Sequence, residues 1–479
     1  MKPVGLCYNF VHWNAYFSEV IGLKKLFYNI DYLATMDDQD RELENAYIIT
    51  DGGCIEQIGT GKPQSFDERE YESYDMRHTV CIPGMVNTHH HLYQSMFRNV
   101  KGAQNLKLFN WLTFLYERWK HLGAAEIYNA ALVGIYEMMK TGVTTTSDMF
   151  YLYPKFTRHL FDEEVDAAIR TGVRFHPCRG SMSLSKKNGG LPPDSVVQSE
   201  DEIMADCERV VNKYHDAAKG SMLRIALAPC SPFSVTQSLM TATLEFAEKR
   251  DLLIHTHLAE TQDEEAFCLE KVGLRPVDYM DKLGWLNERA WFAHCVWLSD
   301  EDIQKFNRSK AGVAHCPVSN MRLGSGTAPV VEMLEHPSIR MSLAVDGSAS
   351  NDTGNMIAEA RAALFLQRVS KGADAITPRQ VLKMGTMGGA KVLGMDDYIG
   401  SLEESKSADF VFFRLDTLEM AGGLSDPISA LVLCNPGTVY LSVINGNIRI
   451  KDSRILEDDM AHIISEQNRM QKNILEKEA

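Results

Sequence analysis

The sequence lacks the features that mark membrane proteins and nucleic-acid-binding proteins. It contains no run of about eighteen or more apolar residues, so no transmembrane helix is predicted. The stretch 1–22 has neither a sustained apolar segment nor a small-residue cleavage site, so we expect no signal peptide. Basic residues are few, 49 against 64 acidic ones, and the formal charge of -15 argues against nucleic-acid binding, which needs a basic face. These absences predict a cytoplasmic protein whose partner is a small molecule, and neither a membrane nor a nucleic acid.

Cysteine pairs and internal repeats are absent as well. None of the ten cysteines belongs to a C-x-x-C pair, and their irregular spacing favours mostly buried free thiols in a reducing compartment. No repeat of about 20–50 residues indicates a solenoid. A chain of 479 residues with 45% hydrophobic and 24% charged residues is therefore expected to be an ordinary globular protein with one large barrel and a smaller unit.

Short apolar runs alternate with longer amphipathic stretches between residues 80 and 348. Strands that alternate with helices predict a parallel sheet, and eight such strands predict an α/β fold with a closed (β/α)8, or TIM, barrel. The candidate strands are 80–90, 142–148, 172–180, 223–230, 252–260, 290–296, 311–317 and 340–348.

Both flanks of this region are rich in β-forming residues. The stretch 26–59 contains two such runs with a Gly-Gly turn, and 408–450 has the same character. The flanks are expected to pair into a small β-sandwich made from both ends of the chain, and 460–479 has helical spacing. The predicted domains are an N-terminal extension at 1–22, a composite β-sandwich at 23–82 and 394–452, a metal-dependent barrel at 83–393 and a C-terminal helix at 453–479.

Unusual polar residues follow several candidate strands, at the carboxyl ends where parallel barrels carry their functional groups. His89 and His91 have the spacing of two that places side chains on one face, whereas His90 points the other way. The other such residues are His257, Glu260, His294 and Asp346. Each of them alone is as well explained by a structural role. Together, imidazoles and a carboxylate predict a site for Zn²⁺ or Fe²⁺ with an open position for water.

Five motifs extend this interpretation: PGMVNTHHH (83–91), HLAE (257–260), AHCV (293–296), HCPVSN (315–320) and VDGSASND (345–352). From about residue 25 to 450 the sequence resembles the amidohydrolase superfamily, in its branch of cytosine and guanine deaminases and triazine hydrolases. The resemblance implies a distorted (β/α)8 barrel, a composite β-sandwich and one metal ion, zinc or iron, bound by His89, His91, His257 and Asp346. Binuclear relatives carry a lysine after the fourth strand, and the APCSP stretch (228–232) has none. Dimers and larger assemblies are common in the family, so a homo-oligomer is one expectation.

A second set of stretches narrows the resemblance. RGSMSLSKKNGGLPPDSVVQ (179–198), RIALAPCSPFSV (224–235) and HTHLAETQDEEAFC (255–268) are similar to the 8-oxoguanine deaminase family. This resemblance implies an aminohydrolase of purine catabolism that converts 8-oxoguanine and water to urate and ammonia. Deamination of isoxanthopterin or guanine and hydrolysis of a triazine, which use the same core motifs, are the alternatives. A non-catalytic scaffold of the same fold is a further one, although such relatives lose metal ligands.

The chemistry assigns roles to residues near the metal. A bound metal ion lowers the pKa of water toward neutrality, and the resulting nucleophile would attack the ring carbon that bears the amine. We expect Glu260 to carry the water proton to the adjacent ring nitrogen, and Asp346 to bind metal and pass a proton to the departing ammonia. His294 would orient the nucleophile or the substrate. The alternative for Glu260 is a surface residue at a helix start.

Substrate contacts are predicted from planar hydrogen-bonding groups, which suit the edges of a purine-like ring. Gln94 and Arg179 could bind ring carbonyls, together with His294. The alternative for Arg179 is a structural salt bridge. Four further residues, each with a structural alternative, are Trp111 and Tyr116 as pocket walls and His315 and Asn320 as contacts at the rim.

Overall fold

The computed structural model describes residues 23–63, 70–456 and 458–477. The predicted extension at 1–22 lies outside these residues. Within the described ranges no helix combines the length and the apolar character needed to cross a bilayer. The nine cysteines in these ranges are free thiols and seven of them are buried, as their spacing predicts.

Strands and helices alternate through most of the chain. The strands are β1 Lys24–Ala34, β2 Glu42–Asp51, β3 Cys54–Thr60, β4 Tyr71–Asp75, β5 Thr79–Pro83, β6 Met85–Asn87, β7 Val143–Phe150, β8 Arg174–Ser181, β9 Ala226–Pro229, β10 Ile254–Leu258, β11 Ala290–His294, β12 Gly312–His315, β13 Arg340–Leu343, β14 Phe410–Arg414, β15 Leu441–Ile444, β16 Asn447–Lys451 and β17 Arg454–Ile455. The α-helices are α1 Leu108–Trp119, α2 Ala124–Lys140, α3 Leu160–Thr171, α4 Glu200–Tyr214, α5 Gln237–Arg250, α6 Gln262–Val272, α7 Pro276–Lys282, α8 Asp300–Ser309, α9 Pro317–Leu323, α10 Val330–Leu334, α11 Met356–Lys371, α12 Pro378–Lys383, α13 Gly389–Val392, α14 Pro427–Leu433 and α15 Met460–Glu476. Short 3₁₀ segments cover Leu92–Phe97 and Lys186–Asn188, and a π-helical turn covers Met384–Gly388.

Strands β6 to β13 form a barrel of eight parallel strands in chain order. Their residues are almost all buried, as expected for strands covered by helices on the outside and by side chains within. The chain just beyond β6 meets the chain around β13 through the Thr88 N–H, which donates to the Leu343 carbonyl (3.4 Å), and the Asp346 N–H, which donates to the His89 carbonyl (3.1 Å). The barrel is therefore nearly closed, and the predicted fold class is confirmed.

The first predicted barrel strand, 80–90, is divided between two sheets. Its first half, β5, pairs with β14, whereas its second half, β6, pairs with β7. The chain changes sheets at Gly84, where a Cβ atom would collide with the Thr144 side chain. Glycine is needed at this crossing, and the strand that leads into the histidine triplet has only three residues.

The other strands form one continuous nine-stranded sheet from the two ends of the chain. Its order is β17-β16-β15-β14-β5-β1-β2-β3, with β4 beside β1. The sheet buries its own apolar core, distinct from that of the barrel. This core includes Phe27, Ile30, Leu33, Phe410, Phe412 and Val443. The buried Arg174 of β8 donates to Asp409 just before β14 (3.0 Å) and ties the barrel to this sheet. The predicted second unit made from both ends is confirmed, and its exact domain bounds remain a prediction.

The C-terminal helix α15 packs against the start of the barrel. Gln467 accepts a hydrogen bond from the Asn129 side chain of α2 (2.8 Å). Gln471 donates to the Met96 carbonyl (2.9 Å), within the 3₁₀ segment that follows the histidine triplet. The end of the chain therefore supports the backbone that leaves the predicted site.

Candidate active site

Most of the predicted site residues meet at the carboxyl ends of the barrel strands, around a cavity. Apolar and aromatic side chains form most of its wall, with polar groups gathered at the base, as in many small-molecule sites. The lining residues are His91, Gln94, Leu108, Trp111, Leu112, Tyr151, Cys230, Phe233, His257, Glu260, His294, Leu323, Asp346 and Ser350.

Two buried imidazoles face each other at the base of this cavity. His91 Nδ1 lies 2.9 Å from the Met149 carbonyl, and His257 Nδ1 lies 2.6 Å from the Cys230 carbonyl. Because a carbonyl oxygen only accepts, both Nδ1 atoms carry protons. Burial lowers the pKa of both histidines below the usual value, so the rings are neutral. When both rings are neutral, their Nε2 atoms, 3.1 Å apart, present two lone pairs to each other, an arrangement that suits a bound cation.

His89 presents a third lone pair, through a hydrogen-bond chain that starts at Trp291. His255 Nδ1 lies 2.7 Å from the Trp291 carbonyl, and His255 Nε2 lies 2.8 Å from His89 Nδ1. Burial lowers the pKa of His255 to about 3, so that ring is neutral and His89 Nδ1–H is the donor. His89 Nε2 has no hydrogen-bond partner among the described residues and lies 3.3 Å from Asp346 Oδ1.

The Asp346 carboxylate completes this group of donors. Its Oδ2 accepts hydrogen bonds from Ser319 Oγ (2.6 Å) and Ser350 Oγ (3.1 Å), and its Oδ1 accepts from the Gly347 N–H (2.6 Å). Three hydrogen-bond donors to one buried carboxylate favour its charged form. Asp346 is therefore an anion beside neutral imidazoles.

This donor set fits a divalent metal ion. Neutral imidazole nitrogens with one carboxylate are the ligands that zinc takes in catalytic sites, where a further position stays open for water. Two overlapping groups have ligand atoms within 4.8 Å of one another: His89, His91 and Asp346, and His89, His257 and His294. The first group and His257 make up the predicted ligand set, and His294 adjoins it.

Glu260 lies beside this cluster, in the turn after β10. Burial raises the pKa of its carboxyl group, and Ser325 Oγ donates to its Oε1 (3.3 Å). The turn passes through Ala259, which has a positive φ of 51°. Glu264 accepts the N–H groups of Ala259 (2.9 Å) and Glu260 (2.8 Å) and so holds the turn. Glu260 is thus a buried cavity residue, and the surface alternative does not describe it.

His294 connects Glu260 to the metal-binding cluster. Its Nε2 lies 3.6 Å from Glu260 Oε2 and 3.9 Å from Asp346 Oδ2, and its Nδ1 lies 2.9 Å from Asn320 Oδ1. Burial acts to lower the pKa of His294, but the two carboxylates outweigh burial and raise that pKa above its usual value. The contact with Asn320 orients the His294 ring. Asn320 itself is not among the cavity-lining residues.

The two other predicted substrate contacts are placed differently. Gln94 lines the cavity, and its buried Oε1 has no hydrogen-bond partner among the described residues, so it is available to a ligand. Arg179 does not reach the cavity: its guanidinium group donates to Asp206 (2.9 Å) and Gln198 (2.8 Å) and lies over the Tyr153 ring. Arg179 therefore forms a structural salt bridge, which was the alternative to a substrate contact.

The remaining candidates divide between wall and core. Trp111 lines the cavity, whereas Tyr116 is buried behind it. His315 is buried away from the cavity and neither of its ring nitrogens has a hydrogen-bond partner in the described ranges. His90 points away from the cluster, with its Nδ1 3.9 Å from Asp148 Oδ1. His255 was not predicted, although IHTH at 254–257 repeats the H-x-H spacing of 89–91.

Known proteins share this architecture. The chain matches the amidohydrolase family over residues 80–449. An 8-oxoguanine deaminase of Pseudomonas aeruginosa is 43% identical over 418 residues, which are 87% of this chain and 92% of the relative. An isoxanthopterin deaminase from an unknown prokaryotic organism is 30% identical over 92% of this chain and 94% of its own. The crystal structure of an atrazine chlorohydrolase from Arthrobacter aurescens TC1 with zinc is 30% identical, with a TM-score of 0.88 over 93% of this chain and 99% of that one.

Proposed function

Because the chain belongs to the amidohydrolase family and is a hydrolase that acts on C–N bonds, we propose that its substrate is 8-oxoguanine, which it converts with water to urate and ammonia. The observation that carries this proposal is the 43% identity to an 8-oxoguanine deaminase across 87% of the chain. Relatives at 30% identity are named as an isoxanthopterin deaminase and a hydroxydechloroatrazine ethylaminohydrolase, so the pterin and a hydroxytriazine are the alternative substrates.

The metal-binding cluster supports zinc as the cofactor. The atrazine chlorohydrolase structure, which has the same fold at 30% identity, is complexed with zinc. In this chain the residues that would hold zinc are His89, His91, His257 and Asp346. Bound there, the ion would supply Lewis-acid activation of the attacking water. The hydrogen bonds to the Met149 and Cys230 carbonyls keep two of the imidazoles in the tautomer that offers Nε2.

Glu260 is the proposed proton carrier. Attack of water on C2 forms a C–O bond and breaks the bond to the exocyclic amine. One water proton must reach the adjacent ring nitrogen and the other must leave with ammonia. The raised pKa of Glu260 suits a group that takes the first proton and then donates it. Asp346 would pass the second proton, and His294, which lies beside both carboxylates, would orient the water.

The cavity wall suits a flat heterocycle. Trp111, Tyr151 and Phe233 provide aromatic surface, and Gln94 Oε1 offers an unpaired buried acceptor to a ring N–H. Arg179 has no part in this proposal because its donors are engaged elsewhere.

The test is urate formation, followed by absorbance with the purified, zinc-loaded protein. Activity on 8-oxoguanine is expected to exceed that on isoxanthopterin, guanine and a hydroxytriazine, each scored by ammonia release. The Glu260→Gln variant should bind zinc as the wild type does and lose nearly all turnover. Release of ammonia from a triazine or a pterin, with none from 8-oxoguanine, would overturn the assignment.

A further inference from the structure

We propose that His255 is a positioning residue of the metal site, which fixes His89 in the orientation and tautomer that present its Nε2 lone pair to the metal. The inference rests on the proposed metal site. His255 lies in β10, two residues before His257, and its ring does not line the cavity. It acts through His89 alone.

The hydrogen-bond chain allows one arrangement of protons for two neutral rings. The Trp291 carbonyl can only accept, so the proton of His255 is on Nδ1 (2.7 Å). His255 Nε2 is then an acceptor, and the donor across the 2.8 Å contact is His89 Nδ1–H. A neutral imidazole carries a single N–H, so His89 Nε2 is left as a lone pair.

Trp291 holds both ends of this chain. Its indole ring stacks on His255, with ring centroids 4.3 Å apart and an interplanar angle of 9°. Its Nε1–H donates to the Thr88 carbonyl (3.0 Å), the backbone group immediately before His89. His255 and Trp291 are also direct neighbours in the pairing of β10 with β11. The orienting ring, its support and the ligand backbone are therefore connected by one closed set of contacts.

Loss of the His255 acceptor would leave the His89 N–H buried without a partner. His89 is fully buried, so water cannot replace that acceptor easily. The ring could then turn, or move its proton to Nε2, and either change removes the lone pair from the site. Residues that orient metal ligands in this way typically contribute about 10- to 100-fold to metal affinity.

The experiment measures the zinc dissociation constant of the full-length protein by competition with a chelator. His255→Leu should weaken zinc binding by about 10- to 100-fold. His255→Gln should recover most of this loss, because its amide oxygen can accept from His89 while its NH₂ group donates to the Trp291 carbonyl. The matched control is His176→Leu, since His176 is a buried barrel histidine that also lies beside the Trp291 ring, with centroids 6.1 Å apart, but does not hydrogen-bond to His89.

The outcomes separate the inference from the proposed function. A wild-type protein that binds no zinc would refute the metal site and the inference together. Tight binding by the wild type and equally tight binding by His255→Leu would refute the inference alone, as would equal losses in His255→Leu and His176→Leu. If the leucine variant does not fold, His255→Asn replaces it. The shorter amide cannot reach both His89 and the Trp291 carbonyl, so it should bind zinc more weakly than His255→Gln. Equal zinc binding by these two variants would overturn the inference.

Discussion

Replacement of Glu264 by glutamine should slow catalysis through Glu260, without a change in metal binding. Glu264 is fully buried and its two carboxylate oxygens accept the consecutive N–H groups of Ala259 and Glu260. The Ala259 carbonyl in turn accepts from the N–H groups of Val296 (3.0 Å) and Trp297 (2.9 Å), so the turn is bonded on both sides. Glu264 thus fixes the position of Glu260 without lining the cavity itself.

The expected magnitude follows from these two hydrogen bonds. A glutamine oxygen can accept one N–H, but its NH₂ group would face the other, and an unsatisfied buried donor costs about 1–3 kcal/mol. The turn would shift to relieve this cost and displace Glu260. Since each 1.36 kcal/mol lost in the transition state is tenfold in rate, kcat should fall by about 10- to 100-fold, with a smaller change in KM.

The assay is steady-state ammonia release, with zinc content measured on the same samples. Glu265→Gln is the matched control, because it makes the same charge change on the next residue of α6, outside the turn. The double variant Glu260→Gln/Glu264→Gln should be no slower than Glu260→Gln. A further loss in the double variant as large as that in the wild-type background would refute the idea that Glu264 acts through Glu260.

Three other perturbations test neighbouring parts of the structure. Ser319→Ala removes the 2.6 Å hydrogen bond to the Asp346 carboxylate, which is worth about 1.5–3 kcal/mol. This variant should keep its zinc and lose at least about tenfold in kcat/KM, whereas unchanged kinetics would show that Ser319 does not orient Asp346 for catalysis. Arg174→Met leaves the Asp409 carboxylate buried and unpaired, so the free energy of unfolding in urea should fall by about 3–5 kcal/mol, and a loss below about 1 kcal/mol would show that the pair contributes little. Burial raises the pKa of Glu359 to about 8 from a usual 4.5. Between these values the folded protein binds a proton that the unfolded chain does not, so the free energy of unfolding should fall as pH rises from about 5 to 8, and this slope should flatten in Glu359→Gln.

The site residues that could be predicted from the sequence are those whose position depends only on where the barrel strands end. His89, His91, His257 and Asp346 lie at or just after the carboxyl ends of strands of one barrel, and parallel strands bring these ends together whatever the details of packing. The sequence therefore predicted this cluster, and Glu260 beside it. The division of 80–90 at Gly84 could not be predicted, because the apolar run is continuous and the need for glycine follows only from the collision that a Cβ atom would make with the Thr144 side chain.

The residues that were misplaced or missed depend on distant partners. Arg179 lies near the carboxyl end of its strand, as a site residue would, but Asp206 and Gln198, from later in the chain, engage its donors. His255 has the spacing of a second H-x-H pair, yet its role follows from contacts with His89 and Trp291 on two other strands. Such pairings between separate strands are decided by register and packing, which a single sequence does not specify.

The pairing of β5 with β14 has a consequence for how the chain is made. Residues 79–83 leave the ribosome roughly 330 residues before their partners at 410–414. At the usual speed of translation this interval lasts about 15–65 s, during which the β5 edge waits without its neighbour. An unpaired apolar strand edge is a template for association with other chains. A chain truncated before residue 410 would therefore expose the edge of β5. We expect such a chain to associate with its own copies and not to form a smaller enzyme.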